Sequence, residues 1–249
     1  MKKLIGTLGF VAVLASAPAV RAAEIKVFCT NGVKAVVEEL LPQFEKTTGN
    51  KVVISYEPST QIKKRIDAGE PFDVAMMTTT LIDEAIKAGK LQFESRRFVA
   101  RSGLGLSTRS GSKKPDITTV DAFKKTLLAA KSITYATQGA SAAPFQTLVT
   151  KLGIESQVKP KYNLRNTAAQ VGEAVASGTV EIGVAPVSEI LPVKGVDLIG
   201  PFPNDLQSFV EITAAAGTAA KEKDAANKLI AFVVSPANAA LIKAKGMER

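Results

Sequence analysis

Apolar runs of strand length alternate with amphipathic helical stretches along almost the whole chain. No other feature restricts the fold as much, because this alternation requires mainly parallel strands with helices packed on both faces. Strands are expected at IKVF (25–28), KVVISY (51–56), FDVAMM (72–77), SITYA (132–136) and EIGVAP (181–186). Between them, apolar residues at three-and-four spacing mark helices, first through Val33, Val36, Val37, Leu40, Leu41 and Phe44, then through Phe145, Leu148, Val149 and Leu152, and then through Ala168, Val171, Ala174 and Val175.

Two extended stretches break the rhythm, RRFVARSGLGLST (96–108) and SFVEITAAAG (208–217), and neither runs directly into a helix. The segment between them is long enough for a domain of its own. The expectation is an α/β architecture of two lobes, each with a mainly parallel sheet flanked by helices, joined by two crossing strands. Residues 23–104 and 209–249 build the first lobe and 105–208 the second, with C-terminal helices at 221–234 and 236–245 returning to the first.

The N-terminus has the pattern of an export signal: Lys2 and Lys3, an apolar run from Leu4 to Ala15, and small residues Val20 and Ala22 at a cleavage site. Residues 1–22 are read as this signal, the mature chain beginning at Ala23 and residing in the periplasm. No later segment reaches the ~20 apolar residues of a membrane span, so a soluble mature protein is expected. The single cysteine, Cys29, allows no disulfide framework and is read as a small buried hydrophobe.

Removing Lys2, Lys3 and Arg21 takes the net charge from +9 to +6. The remaining basic pairs, such as Lys63–Lys64, Arg96–Arg97 and Lys113–Lys114, are scattered, so no nucleic-acid partner is expected. The chain has no histidine, which excludes a Ser-His-Asp or Cys-His nucleophile. No metal and no cofactor are expected.

Ligands of open α/β sheets settle outside the carboxyl ends of the strands, and in a two-lobed form both sets of ends meet in one cleft. The strand ends and helix starts here carry small polar residues: Thr30, Asn31 and Gly32, then Ser59 and Thr60, then Thr78, then Ser141, then Thr167 and Ala168. Each alone reads as an ordinary N-cap. Together, facing one cleft, they read as an anion site built of hydroxyls and helix N-terminal amides.

At these positions the sequence resembles the periplasmic molybdate-binding (ModA-like) proteins of ABC transporters, which have the type II periplasmic binding fold. The resemblance runs through ISYEPSTQIKKRIDAGEPFDVAM, VTKLGI, AVASGTVEIGVAPVSEI and AFVVSPANAALIKAKGM, with IDAGEPFDV its most specific fragment. It implies an oxyanion held by first-lobe hydroxyls at Ser59 with Thr60 beside it, and by second-lobe amides near Ser141 and Ala168. The family's other serine falls on Gly32, with Thr30 and Asn31 as polar neighbours, and its tyrosine falls on Pro186, which offers only a carbonyl acceptor. The resemblance therefore implies a cleft with fewer hydroxyls and more room, suited to a small anion that is either a molybdate- or tungstate-like oxyanion or an organic acid.

The function expected is a monomeric substrate-binding protein that delivers this anion to an ABC permease. The alternative is an isomerase of a tricarboxylic acid on the same fold, since some exported proteins of this kind are aconitate isomerases. A proton shift needs only a base and a clamp for carboxylates; Glu57, at a strand end beside Ser59, is the candidate base, and Lys34 or Arg165 the candidate clamp.

Overall fold

A computed structural model of the protein describes residues 22–249. The signal assigned to residues 1–22 lies outside it except for Ala22. The chain begins with β1 (Glu24–Thr30), α1 (Lys34–Thr48), β2 (Lys51–Glu57), α2 (Ser59–Asp67), β3 (Val74–Thr78) and α3 (Thr79–Lys87). β1 lies between β2 and β3, parallel to both, with Thr30 in register with Glu57 and Cys29 with Met76. The parallel register brings the carboxyl ends of all three strands to one edge.

Helix α1 buries Val36, Val37, Leu40 and Phe44. It stops at Gly49, whose φ of 73° lets its N–H reach the Glu45 carbonyl at 2.9 Å; a side chain at that left-handed position would be strained.

The long strand β4 (Arg97–Arg109) crosses between two sheets. Its first half, Arg97–Gly103, pairs with β8 (Phe209–Ala216). From Leu104 onward it pairs with β6 (Ile182–Pro186) and β7 (Val196–Pro201). The second lobe adds α4 (Val120–Ala129), β5 (Ile133–Tyr135), α5 (Ala142–Lys151), α6 (Glu155–Val158), α7 (Ala168–Ala176) and α8 (Val187–Ile190). Its core is aromatic: Phe123 packs edge-on to Phe202 with ring centres 4.8 Å apart, and Tyr135 to Tyr162 at 5.4 Å. Each of the fully buried rings, Phe123, Phe202 and Tyr135, contributes about 1.5–3 kcal/mol.

The helix-connected neighbours, β1 with β2 and β3, and β5 with β6, pair in parallel. Every antiparallel pair involves β4 or β8, the strands that carry the chain between lobes or back from the second. Only β4 crosses as a strand. The second stretch expected to cross, 208–217, is β8, and it pairs solely with β3 and β4 of the first sheet. The chain returns instead through residues 202–208, where Phe202 N–H donates to the Leu104 carbonyl (2.9 Å) and Leu104 N–H to the Ser208 carbonyl (3.2 Å).

Gln207 completes this hinge. Its Oε1 accepts from Leu104 N–H at 2.7 Å and its Nε2 donates to the Leu104 carbonyl at 3.1 Å, standing in for a strand partner. A Cβ on Gly103 would come within 2.9 Å of the Gln207 amide, so the side chain fits only against a glycine.

The C-terminal helices α9 (Lys223–Val233) and α10 (Ala239–Ala244) follow β8. α9 packs on α1 of the first lobe, with Phe232 5.5 Å from Phe44.

Candidate functional site

A cavity of about 90 Å³ opens at the carboxyl edge of the first sheet and is closed on its far side by the second lobe. Thr30, Asn31 and Gly32 enter it from the end of β1, Ser59 and Thr60 from the first turn of α2, Thr78 from the end of β3, and Thr167 and Ala168 from the start of α7. Eight of the residues singled out by the sequence thus share one wall-to-wall site. Gln138, Gly139 and Ala140, in the loop after β5, face them, and Val210 and Ile212 form an apolar floor.

Whether these hydroxyls are helix caps can be read from their bonds. Thr167 is one: its Oγ1 accepts from Gln170 N–H, and Gln170 answers in a capping box. Thr30 and Thr78 stand at N-cap positions but accept no capping bond. Ser59 lies inside α2, after the N-cap Pro58, and its Oγ accepts from Thr78 N–H at 3.1 Å. A hydroxyl has one donor and two acceptor sites. With an acceptor site filled from Thr78, the Ser59 proton is left to donate into the cavity. The opening amides of α2 and α7 have no helical acceptor and carry the positive ends of their dipoles to the same place.

Two expected contacts lie elsewhere. Ser141 is 2 % exposed behind the loop 138–140, at the N-cap of α5, and does not line the cavity. Pro186 is held in the second sheet opposite Leu104, also off the cavity wall. Glu57 is corrected too. Its carboxylate is paired with Arg65, which also binds Glu70 and Ser55 and has its guanidinium carbon 3.9 Å from the centre of the Phe28 ring. This anchored guanidinium draws Glu57 aside, and it does not line the cavity. Lys34 sits over the Tyr56 ring and Arg165 bonds to Asn163, so neither clamp reaches the site.

The ionisable group at the cavity among the described residues is one the sequence reading passed over, Glu189. It lies in α8, three residues beyond Pro186, and the strand-end rule that selected the other sites would have reached it. A Cβ on Gly32 would stand 3.6 Å from Glu189 Oε1 and 3.6 Å from Ile212 Cδ1. Gly32 therefore leaves room for about a methyl group, bounded by Glu189 and Ile212. Burial pushes the Glu189 carboxyl up to about 7. Neighbouring Ser188 fixes α8 in place: its Oγ–H donates to the Gly32 carbonyl at 2.8 Å, and its N–H to Ser102 Oγ at 3.1 Å. Ser102 in turn donates to the Gly246 carbonyl at 2.9 Å, tying both lobes and the C-terminus behind the site. At the mouth, Gln61 Nε2 of α2 donates to Gln138 Oε1 across the cleft at 2.9 Å.

A two-lobed α/β fold with a polar, cation-free cavity between its lobes defines a solute-binding architecture. Residues 25–248 match the model of the bacterial extracellular solute-binding proteins, and the chain belongs to that family. Among curated relatives, it is 30% identical to the molybdate-binding protein ModA of Azotobacter vinelandii, over 92% of this chain and 91% of that one. It is 28% identical to an aconitate isomerase from a Pseudomonas species, over 94% and 92% respectively. The solved periplasmic molybdate-binding protein of Azotobacter vinelandii superimposes with a TM-score of 0.77, covering 90% of this chain and 99% of that one at 22% identity.

Proposed function

We propose that the protein captures a small anion in the interlobe cavity and delivers it to a membrane permease of the ABC type. The observation that carries this reading is the lining itself: hydroxyls and helix N-terminal amides from both lobes converge, and no Lys or Arg stands among them. Such donors hold an anion without a counter-charge, each bond to an ionised group contributing about 1.5–3 kcal/mol. A volume of about 90 Å³ has room for several waters. That suits a compact oxyanion of the molybdate or tungstate kind, or a short organic acid. The export signal supports a periplasmic location, and the scattered basic pairs support the absence of a nucleic-acid partner. A monomer is the working state.

A thermal melt of residues 23–249 against molybdate, tungstate, sulfate, phosphate, citrate and trans-aconitate tests the reading. At about 1,000 times its dissociation constant a true ligand adds roughly 4 kcal/mol, a shift of about 8–16 °C for a chain of this size. No shift with any anion would sink it. Ser59→Ala is expected to weaken the ligand found by about 1.5–3 kcal/mol, roughly 10–150-fold, because it deletes a donor at the cavity. Calorimetric titration gives the value, and an unchanged Kd would make Ser59 purely structural.

A second reading, an isomerase of a tricarboxylic acid, is favoured by Glu189 and by the similarity to an aconitate isomerase. The base then is Glu189 rather than Glu57: it would take a proton from a carbon beside a carboxylate and return it two carbons away as the double bond moves. A tricarboxylate is larger than this cavity, so the lobes would have to part further. Trans-aconitate incubated with the protein in heavy water would show isomer and deuterium by NMR; the absence of both removes the enzyme reading.

A further inference from the structure

We infer that Glu189 is a ligand-contacting hydrogen-bond donor of the cavity, and that the site takes up its anion together with one proton carried on this carboxyl. The inference rests on the anion-binding reading above. It stands first on geometry. The lining beside Glu189 consists of donors and apolar groups: Thr30 from β1, Asn31 from the turn after it, the α2 and α7 starts, and Val210 and Ile212. No hydrogen-bond or ion-pair partner holds its carboxyl among the described residues. An ionised carboxylate here would repel the anion that the rest of the lining attracts. A neutral carboxyl turns the same atoms into one more donor, as the hydroxyls are.

Charged groups on the surrounding elements leave this arrangement intact. α8 packs on β4, β6, β7 and the turn 31–33. Along β4, Arg97 is spent on the carbonyls of Glu94 and Arg96, Arg101 on Glu248, and Arg109 lies exposed beside Gly178 at the strand's far end. β6 carries no charged residue. On β7, Asp197 is paired with Lys114. Lys34, after the turn, is paired with Glu38, and Lys245, near the C-terminal contact with α8, with Glu39. On β8, Glu211 lies in register with Arg101. None of these lines the cavity, and burial is the sole cause of the rise in the Glu189 carboxyl to about 7. The group therefore changes charge across neutral pH, and a bound anion holds the proton on it more firmly.

The arrangement also sets specificity. A neutral carboxyl donates one directional bond, so it favours anions with an unprotonated oxygen at that point. It gives no charge compensation to a ligand that is itself cationic there.

Calorimetric titration of the protein with molybdate and sulfate, whose own charges are constant over the range, should be made at about pH 6, 7.5 and 9. The expected result is an apparent Kd that rises roughly tenfold per pH unit above pH 7. Repeated at about pH 8.5 in two buffers of different ionisation enthalpy, the titration should report close to one proton taken up per anion bound. Glu189→Gln keeps a donor that cannot ionise, and its affinity should be the same at all three pH values. A wild-type Kd that is flat with pH, or no proton uptake, overturns the inference while the anion site stands. The proton count needs no variant, so it decides the matter even if Glu189→Gln folds poorly. If only trans-aconitate binds, the same count is read at about pH 8.5, above the titration of its own carboxyls. If no anion binds at any pH, the anion-site reading itself fails, and the inference with it.

Discussion

Replacing Asp73 with alanine is expected to lower the stability of the protein by at least about 3 kcal/mol, a fall in Tm of about 6–12 °C. Asp73 belongs to the IDAGEPFDV segment, and its side chain is 4 % exposed just ahead of β3. One carboxylate oxygen accepts from Lys26 N–H of β1 at 2.8 Å. The other accepts from Lys221 N–H at 2.8 Å and Glu222 N–H at 3.1 Å, at the entrance to α9. Its backbone joins the same seam, donating to the Lys26 carbonyl at 2.8 Å and accepting from Gly217 N–H at 2.9 Å. One side chain thus binds the first strand, the turn before the third and the start of the returning helix. Alanine strands three donors at once, and each unsatisfied buried group costs about 1–3 kcal/mol. Asparagine keeps one acceptor but turns an NH₂ toward an amide, so a smaller loss of about 1–3 kcal/mol is expected. Denaturant titration of both variants measures the effect. A loss below about 1 kcal/mol for Asp73→Ala would mean that water replaces the carboxylate, and that the seam is held by its backbone bonds alone.

This seam shows what sequence could and could not reveal. The strands β1, β3, β5 and β6 were legible because each buries an apolar run beside a helix, and β2, which is only half-buried, because its Val, Ile and Tyr residues favour a strand. β7 was not: Val196–Pro201 is half-exposed throughout, and its Gly and Pro dilute any alternation. The stretch 208–217 reads as long and apolar as the crossing strand β4, yet whether a strand crosses depends on its partners, which are distant in sequence. Leu104 pairs with Pro186 and Phe209 with Gly103, and no local pattern encodes that.

The site followed the same division. Position at a strand end was enough to identify eight cavity residues, because parallel register aligns those ends. Side-chain direction was beyond reach. Glu57 sits in register with Thr30, yet Arg65, two turns away in sequence and pinned on Phe28, draws it out of the cavity. Pro186 is the position on which the family's tyrosine falls by resemblance, whereas α8 folds at once over Gly32 and brings Glu189 to the wall. Reading the turn after each strand, as well as its last residue, would have found it.

The placement of Glu189 has a cost in the ligand-free protein, and removing the carboxylate is expected to stabilise the fold. Its carboxyl titrates near an ordinary 4.5 when the chain is unfolded and at about 7 when folded. A raised carboxyl pKa means the folded state holds its proton where the unfolded state has lost it. Stability is therefore full below about pH 4.5, declines as pH rises through that window, and stays reduced above about pH 7. The gap between the two values corresponds to roughly 3 kcal/mol, and water in the open cavity should lower this to about 2 kcal/mol. Glu189→Gln removes the titration, so it should exceed the wild type by about 2 kcal/mol at pH 8, roughly 4–8 °C in Tm, and match it near pH 4.5. The contrast between the two pH values is the informative quantity, since a general packing effect of glutamine would be the same at both. Equal differences at both would mean that the carboxyl is well solvated in the folded protein. A gain confined to high pH would mark Glu189 as a group kept at the expense of stability, as residues that serve a site commonly are.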